Sequence, residues 1–569
     1  MAVKQKRKTK TRAPKYVFVV GGVMSGIGKG VATSAIGRIL KSKGFKVTAL
    51  KIDPYINVDA GTMNPTEHGE VFVLDDGYET DQDMGNYERF LGETLPSVNY
   101  MTTGRVYLEI IRRERNLEFK GKNVEVVPHV PLEVLRRIKE AQKKAKADIT
   151  LVEVGGTIGE YQNIIFLEAV RQLRHECPDD VAVVMLSYVP VPNNIGEMKT
   201  KPTQYASREL NSAGLQADVI LARAIVPLDQ KRKEKIATFC NVAPKRVISA
   251  PDVESIYDVP LNYEKDGLGD ILTEVLGLPA RKTKLDDWKE FVRKSKNGNR
   301  TVELAVVGKY FDSGSFVLSD VYISVLEALK AASYHQNFKP RITYLNSKDF
   351  ESGKLSLDEL SNYQGVLIPG GFGETGIEGK IKVIQYVREN NIPYFGLCYG
   401  MQLMVIEFAR NVAKLKGAHT TEIDNDSPHP VVAIMEAQKE KIQKQDYGGT
   451  MRLGAYPCKL KEGSIARAAY GVPKIFERHR HRFEVNPNYI DTLEDAGLVF
   501  SGQSPDGVLM EIAELSREAH PFMLGTQFHP EFLSRPLSPH PLFTAFLKAA
   551  NGKAAAHAFA NKTKVASAG

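Results

Sequence analysis

The chain has 569 residues, of which 43% are hydrophobic and 25% charged, and these proportions favour folded globular domains over a disordered or fibrous chain. More than one domain is expected at this length. The four cysteines have no paired spacing, which argues against a disulfide framework or a zinc ribbon and favours a reducing, cytoplasmic location. No apolar run approaches the about 18 residues that a membrane-spanning helix requires, so no membrane association is expected.

The formal net charge of +8 is concentrated at the N-terminus. Residues 1–15 carry seven Lys or Arg and no acid, and subtracting those seven from +8 leaves about +1 for the rest of the chain. This balance argues against a body that binds polyanions, so no specific nucleic-acid partner is expected. We interpret residues 1–14 as a basic disordered tail and residues 553–569 as a second disordered tail.

The first half begins with a buried-type strand over residues 16–20, which enters the glycine loop GGVMSGIGKG and then a helix. This order is typical of a phosphate site, because the backbone N–H groups face the anion and Lys29 adds a positive charge. The loop is not a strict Walker A motif, since its glycine spacing is longer and Gly30 stands where Ser or Thr would contact magnesium. A second strand, VTALKIDPYIN, then delivers Lys51 and Asp53.

Three further segments of the first half could contact a nucleotide. The acid-rich EVFVLDDGYETDQDMGNYERF is either a solvated loop or a source of carboxylates for magnesium. The strand in ADITLVEVGGTIGE carries Glu153 at its carboxyl edge, where open α/β sheets bind ligands. The basic GEMKTKPTQYASREL is either an ordinary turn or a triphosphate-binding segment. Together with strands at VAVVMLSYVP and DVILARAIV, the β-α alternation predicts a doubly wound parallel sheet.

The composition changes at residues 281–300, where RKTKLDDWKEFVRKSKNGNR combines an amphipathic helix with a polar Asn-Gly-Asn segment. We predict a linker with a helix here, between a first domain over residues 15–280 and a second over residues 301–552. A new β-α alternation starts at TVELAVVGKY. The predicted fold is therefore α/β, with two doubly wound parallel-sheet domains.

The stretch IPYFGLCYGMQLMVIEF contains the strongest catalytic candidate. It predicts a strand from Ile392 to Leu397, then Cys398 between Gly396 and Gly400, then a helix from Met401. A nucleophile at a strand-to-helix turn needs small neighbours, because the two elements approach closely. The helix N-terminus also favours a thiolate over a thiol.

Two distant segments complete the pattern. TQFHPEF offers His529 as a base and Glu531 as the carboxylate that orients it. VLIPGGFGE ends an apolar run in a glycine loop whose N–H groups could receive an oxyanion. With Cys398, these segments predict a Cys-His-Glu acyl-transfer site; the alternative is a structural cysteine with an unrelated histidine.

The motifs PGGFG, GLCYGMQ and FHPEF resemble those of class I glutamine amidotransferase domains. From about Tyr16 to Ala550 the chain resembles the CTP synthase family, on GGVMSGIGKG, KIDPYINVDAGTMNPTEHGEVFV, DGYETDQDMGNYERF, TTGR, VEVGGTIG, MKTKPTQ, FCNV, GGTMRLGA and ERHRHRFEVN, in that order. The resemblance implies a P-loop-like amidoligase domain followed by a glutaminase domain. It implies ATP-dependent amination of UTP to CTP by ammonia released from L-glutamine, through a 4-phosphorylated UTP intermediate.

The resemblance also implies ligand-binding residues, motif by motif. Those for ATP are Ser25, Gly26, Ile27, Gly28, Lys29, Gly30, Lys51 and Asp83. Those for Mg²⁺ are Asp83 and Glu153. Those for UTP and CTP are Ser25, Glu160, Tyr161, Gln162, Lys199, Thr200, Lys201, Pro202, Thr203, Gln204 and Lys235. Those for glutamine are Gly371, Tyr399, Gly400, Met401, Gln402, Glu422 and Arg482, and those for an ammonia passage are Pro65, His68 and Val71.

The resemblance further implies feedback inhibition by CTP, activation by GTP and a homotetramer. Two departures from the family pattern bear on regulation. The acidic stretch after VEVGGTIG reads Glu160-Tyr161-Gln162, one carboxylate poorer than usual, which affects the expected inhibition by CTP. The loop GFG-x-RG has Thr375 in place of arginine, which affects the expected activation by GTP.

Two other functions remain open at this stage. One is a different ATP-dependent glutamine amidoligase, for example one acting on a corrinoid side chain; MKTKPTQ and KIDPYIN favour UTP over that acceptor. The other is a partition-type ATPase that binds DNA through its basic tail and carries a vestigial glutaminase domain. Filament formation is compatible with enzymatic activity and is not decided by the sequence.

Overall fold

The computed structural model describes residues 13–192, 196–309, 319–435, 438 and 448–552, so most of both predicted tails lies outside the described residues. The chain divides into two compact units. The first comprises the residues up to Asp59 and Asn86–Lys289, and the second comprises Ala60–Gly85 and the residues from Glu290 onward. The internal segment Ala60–Gly85 therefore groups with the second unit, although it lies inside the first domain as we predicted it. No helix among the described residues is long and apolar enough to cross a membrane.

The strands alternate with helices along most of the chain. They are β1 (Lys15–Gly22), β2 (Val47–Asp53), β3 (Val71–Val73), β4 (Glu79–Asp81), β5 (Tyr100–Thr102), β6 (Ile149–Val154), β7 (Val181–Tyr188), β8 (Val219–Ala224), β9 (Val247–Pro251), β10 (Arg300–Gly308), β11 (Phe338–Asn346), β12 (Gly365–Ile368), β13 (Tyr394–Leu397), β14 (Ala418–Thr420), β15 (His429–Ile434), β16 (Arg452–Leu460), β17 (Lys474–His481), β18 (Phe483–Val485), β19 (Val499–Gln503), β20 (Met510–Glu514) and β21 (Met523–Thr526).

The helices are α1 (Lys29–Ser42), α2 (Pro65–His68), α3 (Gln82–Leu91), α4 (Thr103–Arg115), α5 (Val126–Ala145), α6 (Ile164–Glu176), α7 (Lys201–Ser212), α8 (Gln230–Cys240), α9 (Val259–Lys265), α10 (Leu268–Val275), α11 (Asp286–Lys296), α12 (Ile323–His335), α13 (Ser347–Glu351), α14 (Ile377–Glu389) and α15 (Tyr399–Asn411). Two further short helices span Ile465–Tyr470 and Ile490–Asp495, and residues 541–552 are also helical.

The first unit is built on a seven-stranded, fully parallel sheet in the order β5-β2-β6-β1-β7-β8-β9. Strands β1, β2 and β6 are buried along their whole length, which explains their continuous apolar sequences. β1 lies between β6 and β7, so the glycine loop that follows it opens at the carboxyl edge of the sheet centre. The predicted doubly wound parallel sheet is confirmed here.

The second unit contains a nine-stranded sheet in the order β11-β10-β12-β13-β21-β20-β19-β16-β17. Its first five strands are parallel, as predicted. The other four continue the sheet in antiparallel order, which we did not predict. The residues of β16 alternate between more and less buried positions, the pattern of an antiparallel strand with one covered face.

The segment Ala60–Gly85 contributes a small antiparallel hairpin, β3 and β4, to the second unit. Phe72 and Val73 are fully buried, so the hairpin packs on this unit through its apolar strand. Its turn contacts β16, where the N–H of Ala455 donates to the carbonyl of Asp75 at 2.9 Å. The acid-rich segment is thus an ordered hairpin and helix start, and only its turn resembles a solvated loop.

Candidate active sites

Three adjacent parallel strands of the second unit bring the predicted acyl-transfer residues together. β13 lies between β12 and β21 and pairs with both. The glycine loop follows β12, Cys398 follows β13, and His529 follows β21 by three residues. Because parallel strands end at the same edge of a sheet, the three segments meet there.

Cys398 occupies the first position before α15, in a strained backbone conformation with φ 49° and ψ −99°. The predicted strand-to-helix turn is present, with the strand starting at Tyr394 and the helix at Tyr399, each within two residues of the prediction. A Cβ on Gly400 would lie 2.4 Å from the carbonyl oxygen of Ile368, so this neighbour must be small. Positive φ at a non-glycine residue is costly and is characteristic of functional sites.

His529 and Glu531 form a buried pair beside Cys398. The Nδ1 atom of His529 lies 2.7 Å from Oε1 of Glu531. A Cβ on Gly370 would lie 2.8 Å from Cε1 of His529 and 3.7 Å from Cβ of Cys398, so the glycine loop closes over both residues. Burial alone would lower the pKa of His529, but the charges of Glu531 and Cys398 raise this pKa to about 10. The imidazole is therefore held in its protonated form next to the sulfur of Cys398.

Gln527 is a further residue at the nucleophile, and our sequence analysis missed it. It is fully buried and donates from Nε2 to the sulfur of Cys398 at 3.6 Å. Its Oε1 accepts from Nε2 of Gln402 at 3.2 Å, which fixes the orientation of the amide. Gln402 is in turn held by the carbonyl of Phe483 at 2.7 Å. The sequence offered only the position of Gln527, two residues before His529, as an indication of this role.

A cavity of about 70 Å³ adjoins the catalytic residues within the second unit. Cys398 and His529 line it together with Pro65 and Val71, two of the residues predicted for an ammonia passage. His68, the third, is not among its lining residues. The volume suits molecules of the size of water or ammonia.

Three of the residues predicted to bind glutamine lie outside α15: Gly371, Glu422 and Arg482. Gly371 lines the Cys398 cavity, and Glu422 accepts the N–H of Gly373 in the same loop at 2.8 Å. Burial raises the pKa of Glu422. Arg482 donates to Gln438 at 2.8 Å and to Thr450 at 3.1 Å.

The other predicted glutamine residues lie in the first turn of α15 and are buried: Tyr399, Gly400, Met401 and Gln402. The side chain of Met401 packs in the apolar core of the unit. Its contribution to binding would therefore come from its backbone.

The glycine loop of the first unit has the geometry of an anion cradle. Gly26 and Gly28 have φ values of 70° and 87°, and α1 begins directly after them at Lys29. Ser25 and Gly26 are exposed, whereas Ile27 and Gly30 are buried. Nζ of Lys29 donates to the carbonyl of Gly156 at 2.8 Å. The exposed part of the loop thus faces outward at the helix N-terminus, where anions bind.

Lys51 and Glu153 lie on neighbouring strands of the first unit and form a buried ion pair at 2.8 Å. The other oxygen of Glu153 accepts from the hydroxyl of Tyr87. Asp53 accepts from the hydroxyl of Tyr100 at 2.8 Å. Hard carboxylate oxygens suit Mg²⁺, which takes one or two of them and completes its coordination with phosphate oxygens and water. Asp83 belongs to the segment grouped with the second unit, so its sharing of an ion with Glu153 stays a prediction.

A cavity of about 350 Å³ lies beside the glycine loop and was not predicted. Ile27, Val253, Ile256 and Tyr263 give it apolar walls. Arg223 also lines it and donates to the carbonyl of Ile27 at 2.8 Å. The sequence offered one indication of this cavity, the segment that follows β9, because loops after parallel strands form the ligand-binding edge of a sheet.

The segment predicted to hold UTP runs into the start of α7. Thr203 is fully buried and accepts from the hydroxyl of Ser187 at 2.9 Å, and Gln204 donates to Thr200 at 3.1 Å. Lys201 and Lys235 are exposed, Lys199 and Pro202 half-buried. Tyr161 is 93% exposed, and next to it Gln162 donates to Glu160 at 3.3 Å. The assignment of these residues to UTP and CTP stays a prediction.

Both units of the chain match known protein families. Residues 15–278 match the family model described as CTP synthase N-terminus, and residues 317–549 match that described as Glutamine amidotransferase class-I. The CTP synthase of Pyrococcus furiosus is 50% identical over 538 residues, covering 94% of this chain and 98% of that protein. The CTP synthase of Bacillus licheniformis is 46% identical over 536 residues, with coverages of 94% and 98%.

Among solved structures, the glutaminase domain of Trypanosoma brucei CTPS with bound acivicin is 36% identical, covers 44% of this chain and 94% of that chain, and has a TM-score of 0.41. The relatives with about 50% identity extend over nearly the full length of both proteins, through both the synthetase and the glutaminase unit. The chain therefore belongs to the CTP synthase family.

Proposed function

We propose that the chain is a ligase that converts UTP to CTP, using ATP to activate the pyrimidine and L-glutamine as the source of ammonia. The observation that carries this proposal is the 50% identity to a CTP synthase across 94% of the chain. The grouping of Cys398, His529 and Glu531 at one sheet edge supports the glutaminase half. The glycine loop with Lys29, at the carboxyl edge of the first sheet, supports the synthetase half.

In the glutaminase half, Cys398 attacks the side-chain amide carbon of glutamine as a thiolate, its proton residing on the imidazole of His529. The imidazolium of His529 donates its proton to the departing ammonia, which leaves a glutamyl thioester that water hydrolyses. Glu531 holds the imidazole in place, and the amide of Gln527 stabilises charge on the sulfur. N–H groups of the loop at Gly370 and Gly371 are the candidates to receive the oxyanion.

In the synthetase half, the γ-phosphoryl group of ATP is transferred to O4 of the uracil ring, because an oxygen at C4 is otherwise a poor leaving group. Lys29 and Lys51 would offset the charge that accumulates on the transferred group. The adenine fits the cavity beside the glycine loop, whose apolar walls suit a nucleobase. Ammonia then displaces phosphate from C4.

Mg²⁺ would accompany ATP in this half. Asp83 and Glu153 are its proposed ligands, since hard carboxylates suit it. When bound, it supplies positive charge to the phosphates. Lys199 to Gln204 and Lys235 are the proposed contacts of UTP.

Ammonia is best passed directly to the synthetase half, because in water near neutral pH it is largely protonated and unreactive. The cavity lined by Cys398, Pro65 and Val71 supports a passage that starts at the catalytic thiol. His68 is proposed as a member of the same passage further from the thiol.

We also propose a cytoplasmic homotetramer inhibited by CTP and activated by GTP. Self-association is supported by exposed apolar side chains on α4 and α5, including Leu108, Ile111 and Leu132, which are 54%, 55% and 49% exposed. All four cysteines are unpaired, in keeping with a reducing compartment. Gln162 and the exposed Thr375 mark where the responses to CTP and GTP would differ from those of the family.

The deciding experiment measures ATP hydrolysis by the full chain with ammonium salt, with and without UTP. We expect hydrolysis to require UTP and one CTP to appear for each ATP consumed. Equal hydrolysis without UTP would point to another amidoligase acceptor. Stimulation by DNA, with no requirement for UTP, would point to a partition-type ATPase.

Replacing Glu531 with Gln should move the alkaline limit of glutamine hydrolysis to lower pH. With Glu531 present, His529 keeps its proton up to about pH 10, and it can act as the acid only while protonated. Without that carboxylate, Cys398 alone opposes the effect of burial, so the pKa of His529 falls and the proton is lost earlier as pH rises. We expect kcat to fall by roughly 10²-fold or more at pH 8, by analogy with other triad carboxylates. An unchanged pH profile of kcat would contradict the assigned role of Glu531.

A further inference from the structure

Arg478 of β17 is a fully buried residue that joins the β3–β4 hairpin to the catalytic histidine. Its guanidinium donates from Nε to Oδ1 of Asp75 at 2.5 Å and from Nη1 to the carbonyl of Val73 at 3.1 Å. Its own carbonyl accepts the backbone N–H of His529 at 2.7 Å. The same residue thus holds the hairpin with its side chain and His529 with its backbone.

A second route from the same hairpin reaches the ring of His529. Phe72 packs edge-on against Phe532, with ring centroids 5.0 Å apart. Phe532 stacks on His529 at 5.1 Å, with the ring planes 13° apart. The guanidinium carbon of Arg478 lies 5.3 Å from the Phe72 ring centroid and connects the two routes. The backbone and the ring plane of His529 are therefore both held by contacts that begin in the hairpin.

Arg480 repeats the arrangement two residues further along β17, on the same side of the strand. Its Nε donates to Oε1 of Glu79 at 2.8 Å, at the other end of the hairpin turn. Its carbonyl accepts from the thiol of Cys398 at 3.7 Å. Alternate residues of β17 thus contact the hairpin through side chains and the two catalytic residues through carbonyls.

The chemistry of Arg478 indicates that this residue does more than attach the hairpin to β17. A buried guanidinium is expensive unless it is paired, and an apolar side chain would hold the hairpin equally well. What the ion pair adds is direction, because the planar fork fixes the path of β17 relative to Asp75. The Asp75 side chain is 45% exposed while that of Arg478 is fully buried, so the carboxylate of this pair can be replaced without altering the core.

We propose that Arg478, anchored by Asp75, is a positioning residue for His529 in glutamine hydrolysis. This inference rests on the proposed glutaminase function. When the Asp75 charge is lost, the Arg478 side chain loses this ion pair while it keeps its bond to the carbonyl of Val73, and the carbonyl that holds His529 shifts with the side chain. His529 then leaves its alignment between Glu531 and Cys398, while the residues proposed to bind glutamine are not touched.

The test compares Asp75→Asn with the unaltered full-length protein. We expect kcat for glutamine hydrolysis to fall by about 10- to 100-fold, the cost of a displacement near 1 Å in a catalytic group. The KM for glutamine and the rate of CTP formation from ammonium salt should stay within about twofold, because the proposed sites for both substrates are intact. The alkaline limb of the kcat profile should move to lower pH, as His529 loses contact with Glu531. Asp75→Glu, which keeps the charge, should retain most of kcat.

Glu303→Gln is the matched control, because it removes a carboxylate of the same unit that pairs at 2.7 Å with the exposed Arg341. It should change none of these quantities. An unchanged kcat and pH profile in Asp75→Asn, or a raised KM with normal kcat, would overturn the inference.

If Asp75→Asn does not fold, Arg478→Lys tests the same contact, because it keeps the positive charge and removes the planar fork, and a normal kcat and pH profile there would equally overturn the inference. Failure of the unaltered protein to hydrolyse glutamine would instead refute the proposed function itself. The two failures are therefore distinguishable.

Discussion

Replacing Cys398 with Ala should abolish CTP formation from glutamine while leaving CTP formation from ammonium salt within about twofold of the unaltered rate. Only the glutaminase step forms a covalent bond to the sulfur, and the methyl group of alanine cannot form that bond. We expect the glutamine-dependent rate to fall by roughly 10⁴-fold or more, as when other acyl-transfer enzymes lose their nucleophile. The measurement is CTP formation with each nitrogen source at saturating ATP and UTP.

Cys458→Ala provides a matched control in the same unit. Cys458 is fully buried in an apolar cluster, so its loss removes the same atoms without touching the site. Both nitrogen sources should support normal rates in that variant. Loss of the ammonium-dependent rate in a folded Cys398→Ala protein would contradict the division into two sites. Normal use of glutamine by the same variant would contradict the role of the thiol.

The meeting of Cys398 with His529 could be predicted in part from the sequence. Each follows an apolar run that becomes a parallel strand, and parallel strands end at one edge of their sheet. The order of the strands, which makes β12, β13 and β21 neighbours, could not be predicted, because it depends on pairings between distant segments. The resemblance of the motifs to a known family was therefore needed to predict that these residues meet, because the local hydrophobic pattern does not determine the strand order.

The grouping of Ala60–Gly85 with the second unit could not be predicted for the same reason. Its contacts join residues that are far apart in the chain, such as Asp75 and Arg478, which are separated by 403 positions. In their local sequence, the acidic residues of this segment indicated a magnesium site. In the structure, Asp75 and Glu79 pair with arginines of β17. The local composition therefore indicated that these carboxylates would pair with positive charge, but it could not identify the arginines as the partners.

Gln527 illustrates a different limit of prediction from the sequence. An amide does not titrate and is a weak indicator of catalysis, so TQFHPEF drew attention to His529 and Glu531 alone. Its importance comes from a chain of hydrogen bonds in which Phe483 orients Gln402 and Gln402 orients Gln527 toward the sulfur. Three segments of the chain contribute to that network, and only the folded structure brings them together.

Replacing Lys29 with Met should lower CTP formation by roughly 10²- to 10³-fold with either nitrogen source, the cost of one lost donor to a developing oxyanion in other enzymes. Lys29 stands at the N-terminus of α1, where its charge adds to that of the loop N–H groups proposed to bind the triphosphate. Met keeps the apolar stem and removes the charge together with the hydrogen bond to the carbonyl of Gly156. Glutamine hydrolysis measured without nucleotides should be unchanged, because Lys29 belongs to the first unit and the triad to the second.

Lys41→Met is the control for Lys29→Met, because it removes the same charge from the last turn of the same helix. Lys41 pairs with Glu93 near the surface, and an exposed pair of this kind contributes at most about 1 kcal/mol to stability. We expect normal CTP formation in that variant. A selective loss of the glutamine-dependent rate in Lys29→Met would place this lysine in ammonia delivery. A loss shared by both nitrogen sources, with intact glutamine hydrolysis, assigns it to the synthetase half, because activation of UTP and its reaction with ammonia are the steps that both routes to CTP require.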